Sequence, residues 1–283
     1  MAIATLQQIM DPAFKERYGV PAFNAVDAIT LDGLMQGAER SSSPMIIQIS
    51  VKTVKYWGAA VVHAMFTSMA KRISVPVTLH LDHCPEVDVA KECLEVGWNS
   101  VLFDGSDMSF EDNFRITKEI TEFASRRGAH VEGEVVAVGG VEDGVGSETE
   151  GQLISIAEAI RFVQETGIYC YAPAIGTAHG FYQAAPTIRY ERMNQIVEAT
   201  GVPMVLHGGS GLADEVFRRL IAGGAAKVNI STALKKVFAD GLRSYLDKQP
   251  TEYNPLKLTG AVRDDVIAMA QHYFKLFGSE GKA

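Results

Sequence analysis

Short apolar runs rich in β-branched residues recur along the chain, and a segment with helical periodicity follows most of them. Near-continuous apolar runs are typical of strands that are buried on both faces, as in parallel sheets. The intervening segments place apolar residues on one helical face, as Phe217, Leu220 and Ile221 do before Gly223. Eight strands are predicted, over residues 21–25, 44–50, 75–82, 100–104, 130–138, 168–176, 203–208 and 227–231.

Eight strand–helix units in 283 residues predict an α/β fold of the (β/α)8 TIM-barrel type, as a single domain over residues 1–283. Residues 2–18 predict an extra N-terminal helix, and residues 259–277 predict a C-terminal helical extension. A doubly wound sheet is the alternative. It usually has fewer strands, and for a dinucleotide it would need a GxGxxG motif after the first strand, where this chain reads AFNAVD.

Composition and charge narrow the function classes. The chain has 26 Lys+Arg and 34 Asp+Glu, a net charge of −8, which argues against a nucleic-acid or membrane-surface binder. Its three cysteines form no CxxC pair, so a reducing compartment is expected rather than a disulfide framework. The N-terminal segment does not resemble a signal peptide, and no apolar run is long enough to span a membrane. The expectation is a soluble, cytoplasmic protein.

Polar side chains stand at the end of every predicted strand. In a TIM barrel the carboxyl ends of the strands carry the active site, so these residues are expected to meet. Three histidines from different strands fit a divalent metal with open positions, although any one alone would more often be a structural residue. The set is Asn24, Ser50, Asp82 with His83, Asp104, Glu134, His179, His207, and Asn229 with Ser231.

The HLDH sequence raises a question of side-chain direction. On a regular strand His80 and Asp82 share one face, and His83 points to the other. His83 therefore reaches a metal at the barrel mouth only if the strand has already ended. Asp82 is then placed as an acid/base carboxylate, with a turn or helix cap as the alternative. His80 is expected to be structural, and Cys84 to be a packed thiol.

Two short polar segments, the first of them rich in glycine, stand at the ends of the last two predicted strands. HGGS at 207–210 and NIST at 229–232 each precede a helix, and backbone N–H groups at a helix start bind phosphate well. The alternative is that these glycines only make tight turns. The acidic, glycine-rich segment 139–151 predicts a lid. Glu142 or Asp143 on it can act as a base, unless the segment is only a solvated loop.

These motifs together resemble the class II, metal-dependent ketose-bisphosphate aldolases, the fructose- and tagatose-bisphosphate aldolase family. The similarity runs essentially from end to end, and AIGTAHG is closer to the tagatose-type branch. The motifs that carry it are PAFN, HLDH, SVLFDGS with FEDN, VEGEV with GGVED, AIGTAHGFY, VLHGGSGL, KVNIST and FGSEGKA.

The resemblance implies a role for each matching residue. His83, His179 and His207 match zinc ligands, and Asp82 matches the catalytic acid that handles the C4 hydroxyl. Glu142 matches a lid glutamate that moves a proton on the dihydroxyacetone-phosphate carbon, against the loop reading above. Glu134 and Asp104 match carboxylates that support the metal or offer it an alternative position.

The resemblance also implies how substrate is bound. Asn24 and Ser50 match substrate-contact positions, and Arg263 matches a trailing-helix arginine that reaches the distal phosphate in a neighbouring subunit. A homodimer or homotetramer, one Zn2+ per subunit and a monovalent cation (Na+ or K+) are therefore expected. The phosphate and cation region is Gly180, Gly208, Gly209, Ser210, Asn229, Ser231 and Thr232.

The implied reaction is reversible cleavage of tagatose or fructose 1,6-bisphosphate to dihydroxyacetone phosphate and an aldehyde such as glyceraldehyde 3-phosphate. Gln183 stands where the fructose branch has lysine, and SVKTVKYWG at 50–58 matches neither sugar. An aldolase for a less usual ketose phosphate, with a non-phosphorylated or acidic aldehyde partner, is therefore the alternative. Remoter alternatives are a metal-dependent hydrolase, which would typically show HxH on the first strand, and a non-catalytic phosphosugar-binding protein.

Overall fold

A closed barrel of eight parallel strands forms the centre of the computed structural model, as predicted. The structure describes residues 2–142, 145–147 and 153–283, with side chains described for 2–140 and 153–283. The barrel strands are β1 Val20–Asn24, β2 Met45–Ser50, β3 Val77–Cys84, β4 Ser100–Asp104, β5 His130–Glu134, β8 Cys170–Ala172, β9 Met204–Leu206 and β10 Ala225–Ile230. They pair in chain order, and β10 closes on β1. Strands β6 Gly140–Glu142 and β7 Val145–Ser147 form a separate antiparallel hairpin.

Helices surround the barrel. They are α1 Leu6–Glu16, α2 Ala28–Arg40, α3 Val51–Trp57, α4 Ala59–Ala70, α5 Val87–Val96, α6 Phe110–Ser125, α7 Ile156–Thr166, α8 Tyr190–Thr200, α9 Asp214–Gly223, α10 Thr232–Lys248 and α11 Pro255–Phe277. Side-chain caps fix several starts: Asp27 caps α2 and Ser155 caps α7, each in a reciprocal capping box. Among the described residues, no helix has the length and apolarity that crossing a membrane requires.

The predicted N-terminal helix packs across the end of the barrel opposite the strand carboxyl ends. Leu6, Ile9 and Met10 of α1 are buried in one cluster with interior strand residues such as Val20 and Ile46. A capping box at Thr5 starts this helix. With this end filled by apolar side chains, the polar groups of the interior face the opposite mouth.

The last two helices have positions opposite to those expected from the sequence: α11, rather than α10, packs on the barrel. The helix after the eighth strand was expected to pack on the barrel, with residues 259–277 as an addition. Instead α11 packs on β1, where the Phe23 and Phe274 rings lie 5.8 Å apart, and on α9, where the Phe217 and Phe277 rings lie 4.9 Å apart. Gly241 of α10 packs against α11. The C-terminal extension thus supplies a helix of the barrel's outer ring.

Several strand ends differ from the prediction, including that of β8, which ends at Ala172 rather than at Gly176. Strand β3 continues through Cys84, two residues beyond Asp82, and β5 ends at Glu134 rather than at Val138. The backbone N–H of Val138 donates to the Glu134 side chain at 3.3 Å, so the chain turns back instead of extending the strand. The segment predicted as a lid then begins with the β6–β7 hairpin.

The contact between α2 and α11 requires glycine. A Cβ on Gly33 would lie 2.9 Å from Val266 Cγ1 and 3.1 Å from the Arg263 carbonyl oxygen. A Cβ on Gly260, inside α11, would meet nothing within 4 Å. Glycine-to-alanine substitution in a helix gains about 1 kcal/mol of propensity, while overpacking costs about 1–3 kcal/mol.

We therefore expect Gly33→Ala to lower the free energy of unfolding and Gly260→Ala to raise it by about 0.5–1 kcal/mol. Urea denaturation of both variants beside the parent measures the two changes. Equal stabilisation by both would contradict the tight α2–α11 contact.

Candidate active site

A local distortion of β3 directs His83 to the barrel mouth. The β3–β4 register shifts between Leu81 and Cys84, and His83 has a left-handed backbone with φ 45°. Left-handed backbone is uncommon for a residue other than glycine, and such strain concentrates at functional sites. The distortion resolves the question of side-chain direction: both Asp82 and His83 are buried at the mouth although they are consecutive on one strand.

The three predicted histidines converge. His83 Nε2 lies 2.9 Å from His207 Nδ1, and the His83 and His179 ring centres are 5.0 Å apart. One nitrogen from each of the three lies within 4.8 Å of the others. A second group, formed by His83, Asp104 and Glu134, meets the same criterion. Five residues, from the ends of β3, β4 and β5 and from the loops after β8 and β9, are thus brought to one point.

Two of the histidines are oriented from behind by carboxylates. His83 Nδ1 lies 2.8 Å from Asp104 Oδ2, and His207 Nε2 lies 2.7 Å from Glu132 Oε1. Each contact occupies the nitrogen that points away from the cluster. The other nitrogen is then left to face the centre, which is the usual arrangement of metal-bound histidines.

Burial and charge oppose each other at His83. Burial lowers the pKa of this imidazole, but the Asp82, Asp104 and Glu134 carboxylates together raise it well above its usual range. Burial, with the Asp104 charge adding to it, raises the pKa of Glu134 well above its usual range. The Asp82 and Asp104 carboxylates therefore place negative charge beside His83, which a bound cation would neutralise.

The other two imidazoles are held neutral. Burial, reinforced by the positive charge of His83, lowers the pKa of His179 to about 3. The same two causes lower the pKa of His207 well below its usual range. Neutral imidazole is the form that binds a metal.

A buried ion pair inside the barrel was missed from the sequence. Lys227 Nζ lies 2.7 Å from Glu132 Oε2, and both side chains have no exposed area. His80 lies nearby, with Nε2 at 3.5 Å from Glu132 Oε2 and Nδ1 at 2.8 Å from Ser100 Oγ, so its structural role is supported. The alternation of Glu132 and Glu134 on β5 is the signal that could have found it, because alternate strand residues share a face.

Asp82 is held by side-chain amides. Asn24 Nδ2 donates to Asp82 Oδ2 at 2.7 Å, and Asn229 Nδ2 lies 3.5 Å from Asp82 Oδ1. Gln48 donates to Asn24 Oδ1 at 2.8 Å and extends the chain of contacts. Asn24 and Asn229 were predicted as substrate and phosphate residues. The structure places both beside the predicted acid, and Gln48 is an addition to the prediction.

The glycine loops pack backbone against backbone. A Cβ on Gly208, whose φ is 67°, would lie 2.4 Å from the Ala178 carbonyl oxygen, and one on Gly209 would lie 2.6 Å from the Asn229 carbonyl oxygen. Tyr182, also missed from the sequence, braces these loops, because its hydroxyl donates to the Gly208 carbonyl at 2.7 Å and accepts from the Ala178 N–H. The loops after β8, β9 and β10 therefore form one continuous surface.

Small polar groups border this surface at the start of α10. Ser210 Oγ accepts from the Ala233 N–H at 3.1 Å, and the buried Ser231 Oγ has no hydrogen-bond partner among the described residues. Thr232 is the first residue of α10. A Cβ on Gly180, at φ 90°, would meet nothing within 4 Å, so this backbone borders open space. The arrangement leaves room and donors for a small anion.

The remaining predicted residues have different surroundings. Ser50 caps α3, accepting from the Thr53 N–H at 3.4 Å. Arg263 lies outside the barrel, 3.7 Å from Asp32 of α2. Glu142 ends strand β6, and its side chain lies outside the described part of the chain, as does Asp143. The hairpin is tied to the histidine cluster by its backbone, since the His179 N–H donates to the Gly139 carbonyl at 2.7 Å.

The donor set suits a divalent metal. Three imidazoles supply nitrogen, and Glu134 Oε2 is a buried carboxylate oxygen with no hydrogen-bond partner among the described side chains, 3.4 Å from His207 Nδ1. Imidazole with a few carboxylates favours zinc over calcium or magnesium, which prefer all-oxygen sites. The residues present therefore fit the predicted metal.

The Glu132–Lys227 pair gives a testable consequence. Lys227→Met leaves a fully buried carboxylate without its cation, and removing one partner of such a pair costs about 3–5 kcal/mol. We expect a loss of this size in the free energy of urea unfolding. Lys236→Met, which removes an exposed pair with Asp240, serves as the control and should leave stability nearly unchanged, because exposed ion pairs contribute little. A similar loss in both variants would contradict a structural role for the buried pair.

Comparison with known proteins identifies the family. A family model described as fructose-bisphosphate aldolase class-II matches residues 4–282. The chain is 36% identical over 284 residues to the sulfofructosephosphate aldolase of Alkalicoccus urumqiensis, with 100% of this chain and 99% of the relative covered. It is also 36% identical over 287 residues to the fructose-bisphosphate aldolase of Geobacillus stearothermophilus, with the same shares covered.

The fold comparison agrees. The crystal structure of the YdjI aldolase from Escherichia coli K12 matches with a TM-score of 0.87 and 32% sequence identity, covering 99% of each chain. The resemblance seen in the motifs is thereby confirmed, and the chain belongs to the class II fructose-bisphosphate aldolase family, a family of lyases.

Proposed function

We propose that the protein catalyses zinc-dependent, reversible aldol cleavage of a ketose phosphate to dihydroxyacetone phosphate and an aldehyde. The observation that carries the proposal is the convergence of His83, His179 and His207 beside the amide-held carboxylate of Asp82. Zinc, when bound by the three imidazoles, acts as a Lewis acid on the substrate carbonyl. Residues 1–283 act as one catalytic domain. Besides zinc, the proposed site holds a monovalent cation near the phosphate.

Asp82 accepts the proton of the C4 hydroxyl as the C3–C4 bond breaks and the aldehyde leaves. Its two oxygens are aimed by Asn24 and Asn229, so the carboxylate is oriented before substrate arrives. Glu142 returns a proton to the three-carbon half from the β6–β7 hairpin, whose preceding residue, Gly139, accepts a hydrogen bond from the His179 N–H. The fully buried Lys227 is occupied by Glu132 and takes no part as a Schiff-base lysine.

The phosphate of dihydroxyacetone phosphate binds to the surface formed by the loops after β8, β9 and β10. Gly208 and Gly209 allow the close backbone approach, Gly180 borders the open side, and the start of α10 presents N–H groups. Fixing the phosphate fixes the reacting carbons relative to Asp82. Ser210, Ser231 and Thr232 complete the region.

The first candidate substrates are tagatose and fructose 1,6-bisphosphate. The protein acts as a homodimer or homotetramer in the cytoplasm. Arg263 of each subunit binds the distal phosphate of the substrate in a neighbouring subunit. The second candidate is a ketose phosphate whose aldehyde half is non-phosphorylated or acidic. The 36% identity to a relative named for sulfofructosephosphate, equal to that for the fructose-bisphosphate relative, supports testing this candidate beside the two bisphosphates.

The proposal is tested by zinc content and sugar cleavage measured together. We expect about one zinc per chain and chelator-sensitive release of dihydroxyacetone phosphate from one of the two bisphosphates, with kcat/KM of ~10⁴ M⁻¹s⁻¹ or more. Bound zinc without turnover of either sugar would reject the bisphosphates in favour of the second candidate. Turnover that survives full zinc removal would contradict the metal-dependent reaction.

Asp82 is tested by substitution. Asp82→Ala should retain zinc, because Asp82 is not among the grouped donors, but lose kcat by about 10²–10⁴-fold, the usual contribution of an acid/base group. Asp82→Asn, which preserves the shape and a hydrogen-bonding amide, should be similarly inactive. Near-parental turnover in both variants would show that another group handles the hydroxyl proton.

A further inference from the structure

A cavity of about 340 Å³ opens at the barrel mouth beyond the ends of β1 and β2. It is lined by Val26, Asp27, Lys52, Thr53, Tyr56 and Trp57. The sequence that forms one wall, SVKTVKYWG, is the one that matches neither usual sugar. The catalytic arrangement described above uses none of these residues.

The cavity adjoins Asp82. Val26 lies two residues beyond Asn24, which donates to Asp82, and Lys52 lies two residues beyond Ser50, which pairs with Asp82 in the sheet register. Two residues span at most about 7 Å of chain. The wall of the cavity therefore begins immediately beside the carboxylate proposed to handle the C4 hydroxyl.

The barrel order sets the direction in which substrate extends. The loops that form the proposed phosphate surface follow β8, β9 and β10, and β2 and β3 lie on the opposite side of β1. With the phosphate of the three-carbon half at those loops and C4 at Asp82, the aldehyde half continues toward β1 and β2. It then enters the cavity lined by Lys52.

The aromatic wall is fixed in place. Trp57 Nε1 donates to the Val26 carbonyl at 3.0 Å, which joins the β1 and β2 loops, and the Tyr56 ring packs edge-on against it with centres 4.9 Å apart. Both rings remain open to solvent, with Tyr56 78% and Trp57 41% exposed. Exposed aromatic faces of this kind offer apolar contact to the C–H groups of a sugar chain.

Lys52 is the cation of the cavity. Among the described residues it makes no ion pair, whereas Lys55, one helical turn on, pairs with Glu86 at 2.5 Å. The carboxylate of Asp27 is occupied by the α2 cap, where it accepts from the Thr30 N–H at 2.8 Å. Lys52 is thus the charged group in this cavity that is left to bind a ligand.

We propose that Lys52, Tyr56 and Trp57 form the subsite for the aldehyde half of the substrate, and that Lys52 selects a terminal anionic group there. This inference rests on the proposed aldolase reaction and narrows its substrate class to ketose phosphates that carry a second anion at the far end. Phosphate, sulfonate and carboxylate share the chemistry that Lys52 recognises, and the test separates them.

The experiment follows aldol addition of dihydroxyacetone phosphate by the zinc-loaded protein. The acceptors are D-glyceraldehyde, its 3-phosphate, 3-sulfolactaldehyde and a carboxylate-ended aldehyde. We expect Lys52→Gln to lower the ratio of kcat/KM for the preferred anionic acceptor to that for D-glyceraldehyde by about 10-fold or more, since a hydrogen bond to a charged group contributes about 1.5–3 kcal/mol. Lys55→Gln, outside the cavity, is the matched control and should leave the ratio unchanged. The preferred acceptor identifies the anion.

An unchanged ratio in Lys52→Gln would overturn the subsite. Binding decides the matter without turnover: the chain has two tryptophans, and Trp98 is buried, so ligand entering the cavity should change the emission of Trp57. Titration with D-glyceraldehyde 3-phosphate and 3-sulfolactaldehyde should change emission in the parent and not in Lys52→Gln. A response to binding with no addition to any acceptor would reject the aldolase reaction but keep the subsite. Equal responses in the two proteins would reject the subsite.

Discussion

Charge buried inside the barrel is the constraint on which the site depends. Glu132 is fully buried, and it remains there because Lys227 and His207 both contact it at 2.7 Å. A carboxylate in such surroundings is tolerated only with its partners in place. The contact with His207 in turn turns the opposite ring nitrogen toward His83. Glu132 thus both satisfies the charges of the interior and orients one of the three clustered histidines.

This dependence extends outward in layers. Behind the histidines lie Asp104 and Glu132, and behind Asp82 lie Asn24 and Gln48. Each reactive group is therefore fixed by a side chain on a different strand, and the closed barrel fixes the strands relative to one another. Pre-organisation of this kind lets the site act without rearranging polar groups during reaction. The loops after β8, β9 and β10 add closely packed backbone, which the strands do not offer at the mouth and which suits a small anion.

Much of this arrangement follows from sequence, because strand ends in a parallel barrel must meet. That rule brought His83, His179 and His207 together correctly. It could not decide how His83 turns inward, because the β3 distortion depends on pairing with β4. Glu132 and Lys227 were missed because strand alternation tells which face a side chain occupies, and not which partner lies across the barrel. The packing of α11, rather than α10, on β1 was not predicted, because helical periodicity does not show which helix packs its apolar face on a given strand.

The hydrogen bond from the His179 N–H to the Gly139 carbonyl bears on which sequence changes this segment tolerates. The hairpin carrying Glu142 is positioned by main chain, so side-chain replacements within it do not alter where it starts. A change in length between Gly139 and Glu142 would, however, shift Glu142 relative to the three clustered histidines. We therefore expect this segment to tolerate changes of side chain, apart from Glu142, more readily than insertions or deletions.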